Sequence, residues 1–245
     1  MSSRTQPRPA FYALEPGGWR DYWTILHPPY TVWHLSYVVV GAALAPEWRP
    51  GRLGAALLAF LLGMGIGAHA LDELHGRPLR TRIPARALAA AAAVSITAAC
   101  AIGIVVAVET SLWLLAFVAF GGFIVVAYNL ELAGGRFHNG AWFALAWGAF
   151  PLLTAYFAAA ERLTAVAFVA AAFAALLSFV QRVLSTPVRM VRRRVTAVEG
   201  RLAFADGRIE AVTEATLTRP AETALRTLAA AAVALAVALV LLRVT

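Results

Sequence analysis

The chain has 245 residues, 61% of them hydrophobic and only 14% charged, with a formal net charge of +8. This composition excludes an ordinary water-soluble globule and makes the bilayer the expected solvent. All 21 basic residues are arginine; in so apolar a chain they fit membrane orientation rather than nucleic-acid binding, and a single cysteine, Cys100, excludes an intrachain disulfide and a thiolate metal cluster.

From the N-terminus, Met1 to Tyr22 is polar and proline-rich without the apolar core of a signal peptide. Insertion is therefore expected to begin at the first span, without cleavage. Seven stretches have the length and apolarity of a membrane crossing, near 29–46, 52–71, 86–108, 110–130, 139–159, 162–184 and 222–243. A backbone in lipid must satisfy its own hydrogen bonds, so these are helices. Pro28, Pro29, Pro46 and Pro84 fall at span edges, and Pro151 alone sits inside one. Glycines 63, 65 and 67 in the second span and 121 and 122 in the fourth allow backbones to approach closely.

The expected fold is an all-α, seven-span membrane bundle. Residues 1–28 form an N-terminal segment, 29–184 a six-span core, 185–221 a basic loop, and 222–245 the final helix. In the loop, alternating residues flank Asp206-Gly207, the pattern of a short β-hairpin. Alternate connections divide the arginines 17 to 4. The positive-inside rule then places the N-terminus and the long loop in the cytoplasm and the C-terminus outside. The expected location is the inner membrane of a prokaryote.

All five histidines lie in the half of the chain's spans that this orientation makes cytoplasmic: His27, His34, His69, His75 and His138. The densest cluster ends span two, where His69, Asp72 and Glu73 stand at i, i+3 and i+4 on one helix face. His27 and His34, seven apart, share a face of span one and are placed to meet that cluster. Ionisable residues at such depth are expensive and mark a site by default. One reading is an ion pair with the arginines that follow at once, Arg77, Arg80, Arg82 and Arg86. The other is a divalent metal on His69, Asp72, Glu73, His27 and His34, with Mg²⁺, Mn²⁺, Fe²⁺ and Zn²⁺ all compatible with these donors. Polar residues in the same half of spans one, two, four and six, His34, His69, Asn129 and Gln181, predict a cavity among those four helices.

At these residues the chain resembles the UbiA superfamily of intramembrane prenyltransferases. The likeness runs over roughly residues 22–185. It begins with His27-Pro28-Pro29-Tyr30-Thr31 and the small residues Gly41 to Leu44. The family's first motif, Asn-Asp-x-x-Asp-x-x-x-Asp, falls on Ala68, His69, Asp72 and Gly76, before a basic run from Arg77 to Pro84. Ala127-Tyr128-Asn129-Leu130 and Trp147-Gly148 resemble the pattern after span four. Asp72 is the one aspartate of the first motif present, His69 stands in place of another, and Glu73 adds a carboxylate. The second acidic motif has no counterpart in Phe179 to Ser185, and two of the family's usual helices are missing.

The resemblance implies transfer of an isoprenyl group from a diphosphate to a lipophilic acceptor, with Mg²⁺ and arginines neutralising the leaving group. Asp72, Glu73 and His69 are then the catalytic and metal residues, and Arg77, Arg82, Asn129, Gln181 and Arg182 the substrate-binding ones. A second expectation keeps the scaffold for a metalloenzyme with Fe or Zn acting on a membrane lipid, and a third is a non-catalytic lipid-binding protein. The partner in every case is a membrane lipid or isoprenoid.

Overall fold

The structure is a computed structural model and describes residues 8–245. A short helix α1 (Trp19–Ile25) precedes α2 (Pro28–Leu44), α3 (Pro50–Leu74), α4 (Ala85–Glu109), α5 (Leu114–Asn129), α6 (Gly140–Ala160) and α7 (Ala165–Arg194). Strands β1 (Arg201–Ala203) and β2 (Ile209–Ala211) follow, and α8 (Glu214–Val244) ends the chain. Five helices, α3, α4, α6, α7 and α8, are long and apolar enough to cross a membrane. Of the shorter helices, α5 with 16 residues is apolar, and α2 has 17 residues, many of them buried in the bundle. Large apolar side chains such as Val108, Val169, Leu176 and Leu242 stand exposed on the outer faces of the bundle. Water would penalise that exterior and lipid does not, which points to an integral membrane protein.

Local chemistry sets the helix ends. Proline opens α2 and α3 at the first turn, where its missing N–H removes no bond. The Asn139 side chain accepts from the Trp142 N–H at the start of α6, and Thr213 and Thr216 form a reciprocal cap on α8. Two helices change their winding midway. Leu61–Ala68 in α3 and Ala144–Ala149 in α6 are π-helical. The second segment ends just before Pro151, so the helix loosens where a proline has no N–H to offer.

α2 packs between α6 and α8, burying Trp33, Tyr37, Leu152 and Leu225 in the largest apolar cluster. α7 lies against the π-helical part of α6 and against α8. The tightest backbone approaches occur at two glycines. A Cβ at Gly41 would sit 2.2 Å from the Leu152 carbonyl oxygen, and one at Gly148 2.5 Å from that of Ala174. Gly67 and Gly121, by contrast, meet side chains, of Ile96 and Phe150.

Residues 185–221 differ from the expected loop: α7 continues to Arg194 and α8 begins at Glu214, with Pro187 and Pro220 inside the two helices. A side-chain ladder explains the extension. The Arg192 guanidinium donates to both Glu222 carboxylate oxygens at 2.5 and 3.0 Å and to Glu214 at 3.2 Å, joining the helices beyond their apolar portions. Only the tip remains, an antiparallel hairpin pairing Arg201 with Ala211 and Ala203 with Ile209.

Candidate functional site

The helix end that carries the histidine–carboxylate cluster splits it in two. Glu73 is fully buried and turns toward the loop that follows α3. One carboxylate oxygen accepts from the Leu79 N–H at 2.9 Å, and the other accepts from the Thr81 N–H at 2.8 Å and its hydroxyl at 2.9 Å. Asp21 of α1 performs the same task, accepting from the N–H groups of Gly17 and Arg82. The Arg77 guanidinium donates to the Ile83 carbonyl at 2.6 Å. Glu73, Arg77 and the Arg82 backbone therefore fix a loop in which Arg77 and Arg80 both adopt left-handed φ, a conformation that costs about 1 kcal/mol or more apiece without such support. None of Glu73, Arg77 and Arg82 lines the cavity described next.

Asp72 takes the other direction, into a cavity of about 840 Å³ counting its open mouth. His27, His34, His69, Asn129, Gln181 and Arg182 line it with Asp72, so helices that are remote in sequence converge there. Residues that the sequence did not assign to the site complete the walls: Tyr12, Tyr30, Tyr128, Arg189 and Arg193. Arg182, Arg189 and Arg193 lie seven and four residues apart on α7. At about 100° per residue they form one stripe along that helix, a spacing legible in the sequence once α7 is known to extend past 184. Arg182 donates to the Tyr128 hydroxyl and lies 5.8 Å from the Phe143 ring centre. The Arg193 Nε–H donates to the Pro9 carbonyl at 3.2 Å. Pro9 to Tyr12 thus cover one side of the cavity, steadied by the Arg226 guanidinium over the Phe11 ring at 4.6 Å.

The imidazoles are held individually. His27 ends the approach to α2 in a left-handed conformation, φ 46°, with Nδ1 at 2.7 Å from the Tyr12 hydroxyl. Burial holds its pKa well below the usual value, with the neighbouring His69 adding to the effect. Burial likewise pushes the Tyr12 phenol well up, so it keeps its proton. His69 stacks on His27 with ring centres 4.1 Å apart and planes 14° apart, its Nδ1 at 3.0 Å from the Gly65 carbonyl. His34 Nε2 is 2.8 Å from Gln181 Oε1. His138 stacks on Tyr128, and Asn129 bonds back to the Val125 carbonyl.

This arrangement does not fit the metal sites expected from the sequence. Mg²⁺ takes oxygen ligands in near-octahedral geometry, and among the described residues Asp72 is the one carboxylate lining the cavity. Nearly parallel imidazoles a ring-stacking distance apart direct their in-plane lone pairs side by side, so His27 and His69 do not converge on one Fe or Zn ion. Among the described residues no group of three or more His, Cys, Asp or Glu side chains is placed to hold a metal. What the cavity presents instead is a cationic stripe and polar rings, suited to an anion and to hydrogen bonding.

A second, apolar crevice lies between α3, α4, α5 and α6, lined by residues such as Ala59, Gly63, Ala99, Gly103, Phe117 and Phe150. Trp147 belongs to both linings, so the polar and apolar spaces adjoin at its ring. No protein-family model, curated protein or solved structure matches the chain.

Proposed function

We propose that the protein is a UbiA-like, seven-span enzyme of a prokaryotic inner membrane that holds an isoprenyl diphosphate in this cavity and transfers the isoprenyl group to a lipophilic acceptor. The reading rests chiefly on the stripe of Arg182, Arg189 and Arg193, which faces a cavity containing one carboxylate. Guanidinium groups in a partly desolvated site bind phosphate oxygens in bidentate fashion and stabilise charge developing on a leaving diphosphate. The apolar crevice that shares Trp147 with this cavity offers hydrocarbon surface for the apolar part of such a molecule. α2 and α5 complete the seven spans: at 1.5 Å per residue they extend about 26 and 24 Å, enough with modest local thinning of the bilayer. The arginine-rich end then faces the cytoplasm, and a reporter fused after Thr245 is active only on the outer side.

Non-catalytic lipid binding is the second reading, favoured by the lack, among the described residues, of a second carboxylate lining the cavity with Asp72. Binding of farnesyl diphosphate to the purified protein in detergent, measured by native mass spectrometry and calorimetry, tests what both share. Arg189→Gln and Arg193→Gln are each expected to weaken binding about tenfold, consistent with a charge-assisted bond worth about 1.5–3 kcal/mol. Unchanged affinity in both variants would remove the anion site. Formation of a prenylated lipid in membranes then separates the enzyme from the binder.

A further inference from the structure

The cavity contains two buried ring nitrogens that the protein leaves without a partner among the described residues, His27 Nε2 and His34 Nδ1. Both residues are more than nine-tenths buried, and an unsatisfied polar atom in such a place costs about 1–3 kcal/mol. Their hydrogen-bond roles follow from what the opposite nitrogens touch. A carbonyl oxygen only accepts, so His69 carries its proton on Nδ1, toward Gly65, and presents a bare Nε2 lone pair. Among the described residues the Tyr12 hydroxyl is bonded to His27 Nδ1; a phenol O–H is a stronger donor than a neutral imidazole N–H, so the phenol donates and Nδ1 accepts. The proton of His27 is then on Nε2, where it is free to donate. His34 gives its Nε2 proton to Gln181 Oε1, which leaves Nδ1 as an acceptor.

We infer that His27 and His34 form a subsite for a hydroxyl group, with His69 stacked on His27 as part of its wall: His27 Nε2–H donates to the hydroxyl oxygen, and the lone pair on His34 Nδ1 receives its hydrogen. A hydroxyl is a small neutral group that uses both kinds of partner at one oxygen, as water does, and unlike water it brings a carbon skeleton. The surrounding rings of Tyr30, Tyr128, Phe143 and Trp147 provide flat apolar walls for the carbon skeleton that bears it. This subsite depends on the proposed function for its meaning as the place of the acceptor, but its binding chemistry stands apart from the arginine stripe. Tyr12 enters as a positioning residue, because its proton sets the tautomer of His27.

Three probes of nearly equal size separate the roles. Phenol both donates and accepts, anisole only accepts, and benzene does neither. Titration of the ¹⁵N-histidine-labelled protein is expected to rank phenol well above anisole, and anisole above benzene. Phenol is expected to shift the His34 Nδ1 resonance upfield, toward hydrogen-bonded values. A site built around a hydroxyl loses its preference when those partners go. His34→Phe should lower phenol affinity at least tenfold and leave benzene unchanged, and Tyr12→Phe should remove the fixed His27 tautomer from the spectrum. Equal affinity for phenol and benzene, or phenol binding without a histidine shift, would overturn the subsite. The same His34→Phe variant should still bind farnesyl diphosphate. Failure of the wild-type protein to bind that diphosphate, with phenol selectivity intact, would end the transferase reading and leave the hydroxyl subsite standing.

Discussion

Asp72 and Glu73 are adjacent in the chain and belong to two regions built on opposite terms. The loop after α3 is a saturated region: Glu73 accepts three hydrogen bonds and Asp21 two, all from loop donors. The cavity on the other side of the same helix turn is unsaturated, with two imidazole nitrogens lacking partners and Asp72 accepting no hydrogen bond among the described residues. Carboxylates one position apart thus close a loop in one case and face an open cavity in the other. Burial alone does not tell them apart; the number of committed lone pairs does.

The largest effect is expected from emptying the saturated side. Glu73→Ala leaves three buried donors unpaired and should cost about 3–5 kcal/mol, read as a lower melting temperature and reduced yield of folded protein in detergent. Retention of wild-type melting by this variant would erase the distinction between the two regions. Asp72→Asn is the matched change on the open side. Stability is expected to stay within about 1 kcal/mol of wild type, while affinity for farnesyl diphosphate rises several-fold as a negative neighbour of the anion disappears. A melting temperature that falls as far as that of Glu73→Ala would place Asp72 with the structural carboxylates.

The smallest effect concerns pH. His27 has its pKa depressed by burial in the folded protein, whereas an unfolded histidine titrates near about 6.5. Below that pH the unfolded state takes up a proton that native His27 refuses, so stability falls on acidification and is unaffected on the alkaline side. Melting followed from pH 8 to pH 5 should therefore slope less steeply in His27→Asn than in wild type. Equal slopes would show that His27 does not contribute to the acid sensitivity.

Much of the fold is written in hydropathy, because a span must be apolar along its whole length. The hairpin at Asp206-Gly207 was equally legible from its alternation and turn residues. The helical extensions to Arg194 and from Glu214 were not, because polar sequence there is held helical by a partner 30 positions away, Glu222 against Arg192. The same limit applied at the site. His34, His69, Asn129 and Gln181 could be grouped by depth alone, and they do line one cavity. Spacing could not show that Glu73 faces away from Asp72, nor that Arg77 serves its own loop, since both depend on where residues 77–83 fold. Arg189 and Arg193 were hidden by the assumption of a loop. Tyr12 offered no signal, being brought in by an irregular segment that follows no periodicity.

The two π-helical segments give the site an unusual kind of sensitivity. Each carries more residues per turn than an α-helix spanning the same distance; the first lies immediately before the cavity residues His69 and Asp72, and the second contains Trp147. A substitution in Leu61–Ala68 changes a side chain, but deletion of one residue there lets the segment relax to α geometry. Everything after it then turns by about 100° relative to the bundle. His69 and Asp72 would leave the cavity while Glu73 lost its loop. Position around the helix axis is thus stored in a residue count, and the aim of this site is set by arithmetic in a stretch that contains no polar side chain at all.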